Sequence, residues 1–179
     1  NSLINPGQDF TDNALGTFNI AELARAYYAK VIYTSTCKAQ PNSMGIRTPY
    51  GLSKYIGELY LEEYRLLYGL KSIINRPGTI YGPGQEGSPE SGWLAWFIKA
   101  TLKHLPVTIF GDGKQKRDLL YIDDYVALIV DQVNNFDKYG NRYNVGGGKE
   151  NTITLLKALK ILEYKNYNFG PERVGDERE

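Results

Sequence analysis

Short runs rich in β-branched residues alternate with longer segments of helical period along this chain, and that alternation constrains the fold more than any other feature. Strands are expected at 31–35, 71–76, 107–110, 117–122 and 142–145, with a short one near 167. Helices are expected at 9–29, 50–69, 91–104, 123–135 and 152–163. Strands separated by a helix run parallel, because the helix is the crossover that returns the chain to the same end of the sheet. The expected fold is therefore α/β, a Rossmann-like parallel sheet with helices on both faces. No internal repeat and no low-complexity segment interrupts it.

The composition narrows the class further. At 179 residues, with 42% hydrophobic content and a formal net charge of +1, the chain can bury a substantial core. Its charges are dispersed, so no basic stripe points to nucleic acid. No apolar segment approaches the ~20 residues of a membrane helix. One cysteine, Cys37, allows no internal disulfide and favours a reducing cytoplasm. One histidine, His104, leaves no zinc cluster and argues against a Ser-His-Asp triad. His104 closes a helical pattern just before Pro106, where an imidazole suits the helix dipole.

Tyr50 and Lys54, in Thr48-Pro-Tyr-Gly-Leu-Ser-Lys54, stand one helical turn apart and share a helix face. An ammonium beside a phenol stabilises the phenolate, and a tyrosine that ordinarily titrates near ~10 becomes a usable base. The preceding strand, Lys30-Val-Ile-Tyr-Thr-Ser-Thr36, ends in three hydroxyls, and the next one runs into Arg76-Pro-Gly-Thr-Ile-Tyr-Gly-Pro-Gly84. Thr36 lies at the C-terminal end of its strand, where ligands meet parallel sheets. Thr34 and Ser35 beside it are the alternative hydroxyls.

In this order of strand, hydroxyl, Tyr-x-x-x-Lys helix, strand and Arg-Pro turn, the chain resembles the extended short-chain dehydrogenase/reductases that act on nucleotide sugars. Three further segments resemble the same family: Asp9-Phe-x-x-Asn-Ala-Leu-Gly-Thr17, Gly111-Asp-Gly-Lys-Gln-Lys-Arg-Asp-Leu-Leu-Tyr-Ile-Asp-Asp124, and Tyr143-Asn-Val-Gly-Gly147. So does Pro171-Glu-Arg-Val-Gly-Asp176. Within the family, Ser91-Gly-Trp-Leu-Ala-Trp-Phe97 and the Gly-Asp-Gly-Lys-Gln-x-Arg-Asp run look most like CDP-paratose (tyvelose) 2-epimerases.

The resemblance implies NAD as cofactor, a nucleotide-diphosphate sugar as substrate and a homodimer in the full-length protein. It implies Thr36, Tyr50 and Lys54 as catalytic residues, with Tyr50, Lys54 and Pro77 at the cofactor. It implies Thr79, Arg117 and Arg173 at the substrate, the two guanidiniums presenting paired donors to the diphosphate. Dehydratases of this family carry Asp-Glu after the catalytic hydroxyl, whereas this chain has Cys37-Lys38. Epimerisation by reversible oxidation is expected, with a UDP-hexose 4-epimerase or a related nucleotide-sugar oxidoreductase as the alternative. Trp93 and Trp96 either stack on a base or pack in the core. Asp118, Asp123 and Asp124 suit capping and dipole roles.

A dinucleotide fold needs a glycine-rich turn after its first strand, where the backbone approaches the pyrophosphate. No such turn follows a strand here, and Gly111-Asp-Gly113 and Gly146-Gly-Gly148 are in other places. The expectation is a Rossmann-like domain lacking its first half. Residues 1–80 would supply the rest of the NAD-binding domain with its catalytic pair, and 81–179 a small sugar-nucleotide-binding part. A noncatalytic sugar-nucleotide-binding remnant is the rival from another class. Residues 38–47 are expected to be a shortened loop or a join, since Thr36 and Tyr50 stand closer in sequence than in the family.

Overall fold

The computed structural model describes residues 2–42 and 45–173. The chain folds into two units, one of residues 1–77 and 126–145, the other of residues 78–125 and 146–179.

The first unit opens with α1 (Pro6–Asp9), which continues through a π-helical segment (Phe10–Leu15) into α2 (Gly16–Ala26). After β1 (Val31–Thr34), a 3-10 turn (Cys37–Ala39) leads towards α3 (Pro49–Tyr68) and β2 (Ser72–Pro77). The limits of α3 are written in its sequence. Thr48 caps it by accepting from the Gly51 N–H at 3.2 Å, Pro49 occupies the first turn, and Gly69 ends it at φ 68°.

β2 is buried along its whole length. It lies between β1 and a later strand, pairing parallel with both, so it has no solvent face and its polar members Ser72, Asn75 and Arg76 are buried along with Ile73 and Ile74. Ala21, Ala24, Leu61, Tyr64, Leu70 and Ile74 form the core beneath it.

The second unit holds β3 (Thr79–Tyr81), α4 (Trp93–Lys103), β4 (Val107–Phe110) and β5 (Lys116–Tyr121). α5 (Ile122–Asn134) begins there, and the boundary falls after Tyr125. The remainder of α5 and β6 (Arg142–Val145) belong to the first unit, where β6 completes the order β1-β2-β6. Asn75 on β2 and Gln132 on α5, both fully buried, exchange two amide hydrogen bonds of 2.7 and 2.9 Å that tie helix to strand.

β7 (Thr152–Thr154), α6 (Leu155–Ile161) and β8 (Tyr167–Gly170) complete the second unit. β3 pairs parallel with β5, β7 pairs antiparallel with β5, and β4 pairs parallel with β8. The core of this unit gathers Leu94, Phe97, Val107, Ile109, Leu155 and Leu159, with Trp93 and Trp96 packed against it.

The helix expected at 9–29 is therefore interrupted by a π segment, and the one expected at 152–163 starts with a three-residue strand. Thr152-Ile-Thr154 is β-branched throughout and finds a free edge on β5.

Two glycine contacts set how closely the elements approach. A Cβ on Gly51 would stand 2.1 Å from the Lys38 carbonyl oxygen, and one on Gly147 would stand 1.8 Å from that of Leu119. Gly51→Ala should therefore lose stability even though alanine is the better helix former by about 1 kcal/mol. We expect a net loss of about 1 to 3 kcal/mol, from overpacking against backbone, in a denaturant titration of the full-length protein. A stabilised variant would show that the first turn of α3 is not held against Lys38.

Candidate active site

Thr36 follows the C-terminal end of β1 and caps the 3-10 turn, its Oγ1 accepting from the Lys38 N–H at 3.3 Å. That leaves its single O–H free to donate, and the Tyr50 phenol, whose pKa this hydroxyl pulls down, is the group beside it. Tyr50 sits in the first turn of α3, its backbone N–H donating to Ser2 Oγ at 2.7 Å. Ser53 Oγ donates to the Tyr50 carbonyl at 2.8 Å and accepts from Asn13 Nδ2 at 3.1 Å. Asn13 lies in the π segment, a helix irregularity that recurs at functional sites. Thr36 and Tyr50, expected to work together, are brought together.

Lys54 is oriented differently from the simplest expectation. Its Nζ donates to the Thr34 carbonyl at 2.8 Å and stands 4.8 Å from the centre of the Tyr33 ring. Burial lowers its pKa, and the negative charge of Glu58 one turn further along α3 opposes that shift. Burial also raises the pKa of Tyr50. The Thr36 hydrogen bond pulls it down, while the charges of Cys37 and Asp9 push it up. In this state Tyr50 is a protonated phenol at neutral pH, and a lysine-stabilised phenolate is not what the geometry displays.

The other two hydroxyls at the end of β1 are distinguishable. Ser35 is buried and donates to Glu58 Oε1, so its side chain turns into the core. Thr34 offers its carbonyl to Lys54. Thr36 is the one whose hydroxyl meets the phenol. Pro77 is buried at the end of β2, opposite Val145 of β6.

The remaining expected residues lie in the second unit. Thr79 begins β3, half-buried opposite Leu119 of β5. Arg117, on β5, donates through Nη1 to the Lys116 carbonyl at 2.6 Å. Arg173 stacks on Phe110 with its guanidinium carbon 3.7 Å from the ring centre, and Nη2 donates to the Pro89 carbonyl at 2.9 Å. Residues 174–176 of the same motif lie outside the described residues.

Asp118 accepts from the Gly147 N–H at 2.9 Å and so fastens the loop after β6 to β5. His104 caps α4 in left-handed conformation at φ 55°, exposed to solvent. Trp93 makes an edge contact with Phe97 at 5.4 Å. These last three behave as structural residues.

Sequence reasoning assigned no role to Asn13, Ser53, Gly51 or Glu58. Asn13 lay inside a quoted motif, and Glu58 continues the Tyr50–Lys54 face at the next turn. Only burial shows what either one does.

The site suits the nicotinamide end of a dinucleotide. An ammonium has three donors, and the Thr34 carbonyl takes one of those on Lys54, leaving donors for ribose hydroxyls. A phenol and a strand-end hydroxyl adjoin it. The glycine turn for a pyrophosphate is not found after a strand among the described residues.

Residues 1–146 match the NAD dependent epimerase/dehydratase family, and the chain belongs to that family. It is 31% identical over 216 aligned residues to a CDP-paratose 2-epimerase of Salmonella typhi, covering 99% of this chain and 64% of that one. It is 36% identical to a UDP-glucose 4-epimerase of Mycolicibacterium smegmatis, covering 99% and 61% respectively. The Thermus thermophilus UDP-glucose 4-epimerase in complex with NAD superposes with a TM-score of 0.83 at 29% identity, over 99% of this chain and 63% of that one. The fold is the Rossmann-type α/β fold of these enzymes. The chain spans 54% to 64% of the length of three curated relatives that it matches.

Because the Thr36 hydrogen bond lowers the Tyr50 pKa, its removal should raise it further. Thr36→Val is expected to move the Tyr50 transition to higher pH in an ultraviolet phenolate titration, with Tyr50→Phe as the blank. An unmoved transition would remove Thr36 from contact with the phenol.

Proposed function

We propose that the full-length protein is a nucleotide-sugar epimerase working by transient oxidation of one sugar carbon. The observation that carries this reading is the Thr36 hydroxyl beside the Tyr50 phenol at the C-terminal end of β1, with Lys54 one turn further along α3. NAD bound beside these residues supplies the acceptor, and after reduction the donor, of a hydride. Thr36 would hold the reacting hydroxyl, and Tyr50, once in its phenolate form, would take the hydroxyl proton as the hydrogen on the same carbon is given up as hydride. With the opposite face of the resulting carbonyl presented, Tyr50 would give the proton back to the carbonyl oxygen as the carbon is reduced again. Protons and electrons balance within the cycle, so no external oxidant is consumed.

Water elimination needs an acid and a base at adjacent carbons. Cys37 and Lys38 follow Thr36 in place of a carboxylic pair, and Lys38 is exposed. This supports epimerisation over dehydration. Within epimerases we favour the 2-epimerase type acting on a CDP-sugar, on the likeness to the Salmonella enzyme over nearly the whole chain. A UDP-hexose 4-epimerase is the second reading, favoured by the 36% identity to the Mycolicibacterium enzyme.

Arg117 and Arg173 would grip the diphosphate. A second copy of the chain is the partner we propose for the outer faces of α2 and α3, where Leu23, Leu66 and Leu67 are exposed. A sedimentation experiment returning only monomer removes that partner.

Incubated with NAD and either CDP-paratose or UDP-glucose, the full-length protein should yield an epimer of unchanged mass. A product lighter by one water would identify a dehydratase instead. Tyr50→Phe should abolish turnover and leave sugar-nucleotide affinity nearly unchanged, since only the proton acceptor is lost. Arg117→Ala and Arg173→Ala should each weaken sugar-nucleotide binding by roughly 1 to 3 kcal/mol, the range for hydrogen bonds to charged groups. NAD affinity should hardly change, and calorimetry showing NAD lost with the sugar nucleotide retained would reverse these assignments.

A further inference from the structure

Glu58 takes no part in the transfers proposed above, yet it is fully buried. A carboxylate is enclosed at high cost unless charge and hydrogen bonds compensate for lost water. Both do so here. Arg76 of β2 donates through Nε to the two carboxylate oxygens at 2.9 and 3.1 Å, and Nη2 adds a third contact. Arg142 of β6 stands 3.8 Å away, and Ser35 Oγ donates to Oε1.

The serine contact is the informative one. An Arg–Glu pair does not require it, and Ser35 lies between the two points of the chain on which the site depends. Thr34 on one side receives Lys54 at its carbonyl, and Thr36 on the other reaches Tyr50 with its hydroxyl. Glu58 is itself on α3, one turn beyond Lys54 and two beyond Tyr50. A single carboxylate thus joins the end of β1 to the helix carrying both other groups.

From this geometry we propose that Glu58 is a positioning residue, clamping the end of β1 through Ser35 so that Thr36 and Lys54 are held in register with Tyr50. The proposal rests on the oxidation and reduction reading above. A second consequence follows for charge. Tyr33 of β1, pushed up to about 12 by burial, faces Lys54 as a neutral phenol. Arg76 and Arg142 pair with Glu58 from β2 and β6. Glu58 is the anion among these groups, and its charge raises the pKa of the half-buried Lys54 amine against the lowering by burial.

The test uses the full-length protein in three forms: wild type, Ser35→Ala and Glu58→Gln. One readout is steady-state kinetics with NAD and CDP-paratose or UDP-glucose. The other is the titration of Lys54 followed by NMR of isotope-labelled lysine, assigned with Lys54→Met. Ser35→Ala, which keeps the Glu58–Arg76 pair, should lower kcat about tenfold or more with KM changed less than about twofold, as expected for a misplaced reacting group. Glu58→Gln should also lower kcat and should move the Lys54 titration to lower pH. A wild-type kcat in Ser35→Ala overturns the clamp, and so does an unmoved Lys54 titration in Glu58→Gln. Should Glu58→Gln fail to fold, the kcat of Ser35→Ala decides. If the wild type turns over neither sugar nucleotide, the functional reading fails, while the Lys54 titration still decides the role of Glu58.

Discussion

The ion pair between Glu58 and Arg76 is the constraint on which the first unit depends. Arg76 is 7% exposed and Glu58 is at 0%, so neither charge is relieved by solvent. Breaking such a pair by removing one partner costs about 3 to 5 kcal/mol, because the remaining charge stays buried. The pair therefore fixes α3 on β2 in one arrangement, and the Ser35 hydrogen bond extends that arrangement to the end of β1. A hydrophobic contact in the same place would permit small rotations of α3. Two fork-shaped hydrogen bonds do not.

Close approach does the rest. Once α3 is fixed at Glu58, its first turn must reach the segment after Thr36, and only a residue without Cβ fits at position 51. The π segment places Asn13 where it can hold Ser53, and Ser53 holds the carbonyl of Tyr50. The phenol is thus located by backbone contacts from two directions. This precision is what a proton transfer requires of groups that move little during reaction.

The elements were legible in the sequence where pattern and burial agree. β4 and β6 match their expected limits residue for residue, and α3 begins at the Thr-Pro cap. β3 and β7 escaped because three residues carry too little period to distinguish strand from loop. The return of α5 and β6 to the first unit left no trace in composition, since it depends on the buried Asn75–Gln132 pair. Among site residues, Thr36 stood out from its neighbours by its place at the strand end and by resemblance. What separates it from Ser35 is a partner, Glu58, that lies 23 positions away from Ser35 in sequence.

The electrostatics of the site bear on which half of the proposed reaction its resting state would favour. Burial biases Tyr50 towards the neutral phenol and Lys54 towards the neutral amine. A neutral phenol is ready to protonate an oxyanion and unready to accept a proton from a hydroxyl. Oxidation therefore needs a positive charge close to the phenol, whereas reduction of the carbonyl finds its proton already in place. Glu58 acts on this balance from the lysine side, favouring the ammonium that a phenolate would need as a neighbour. A carboxylate two turns from the Tyr50 phenol can influence its proton chemistry without touching substrate, because α3 carries all three groups on one face and their partial burial weakens the screening between them.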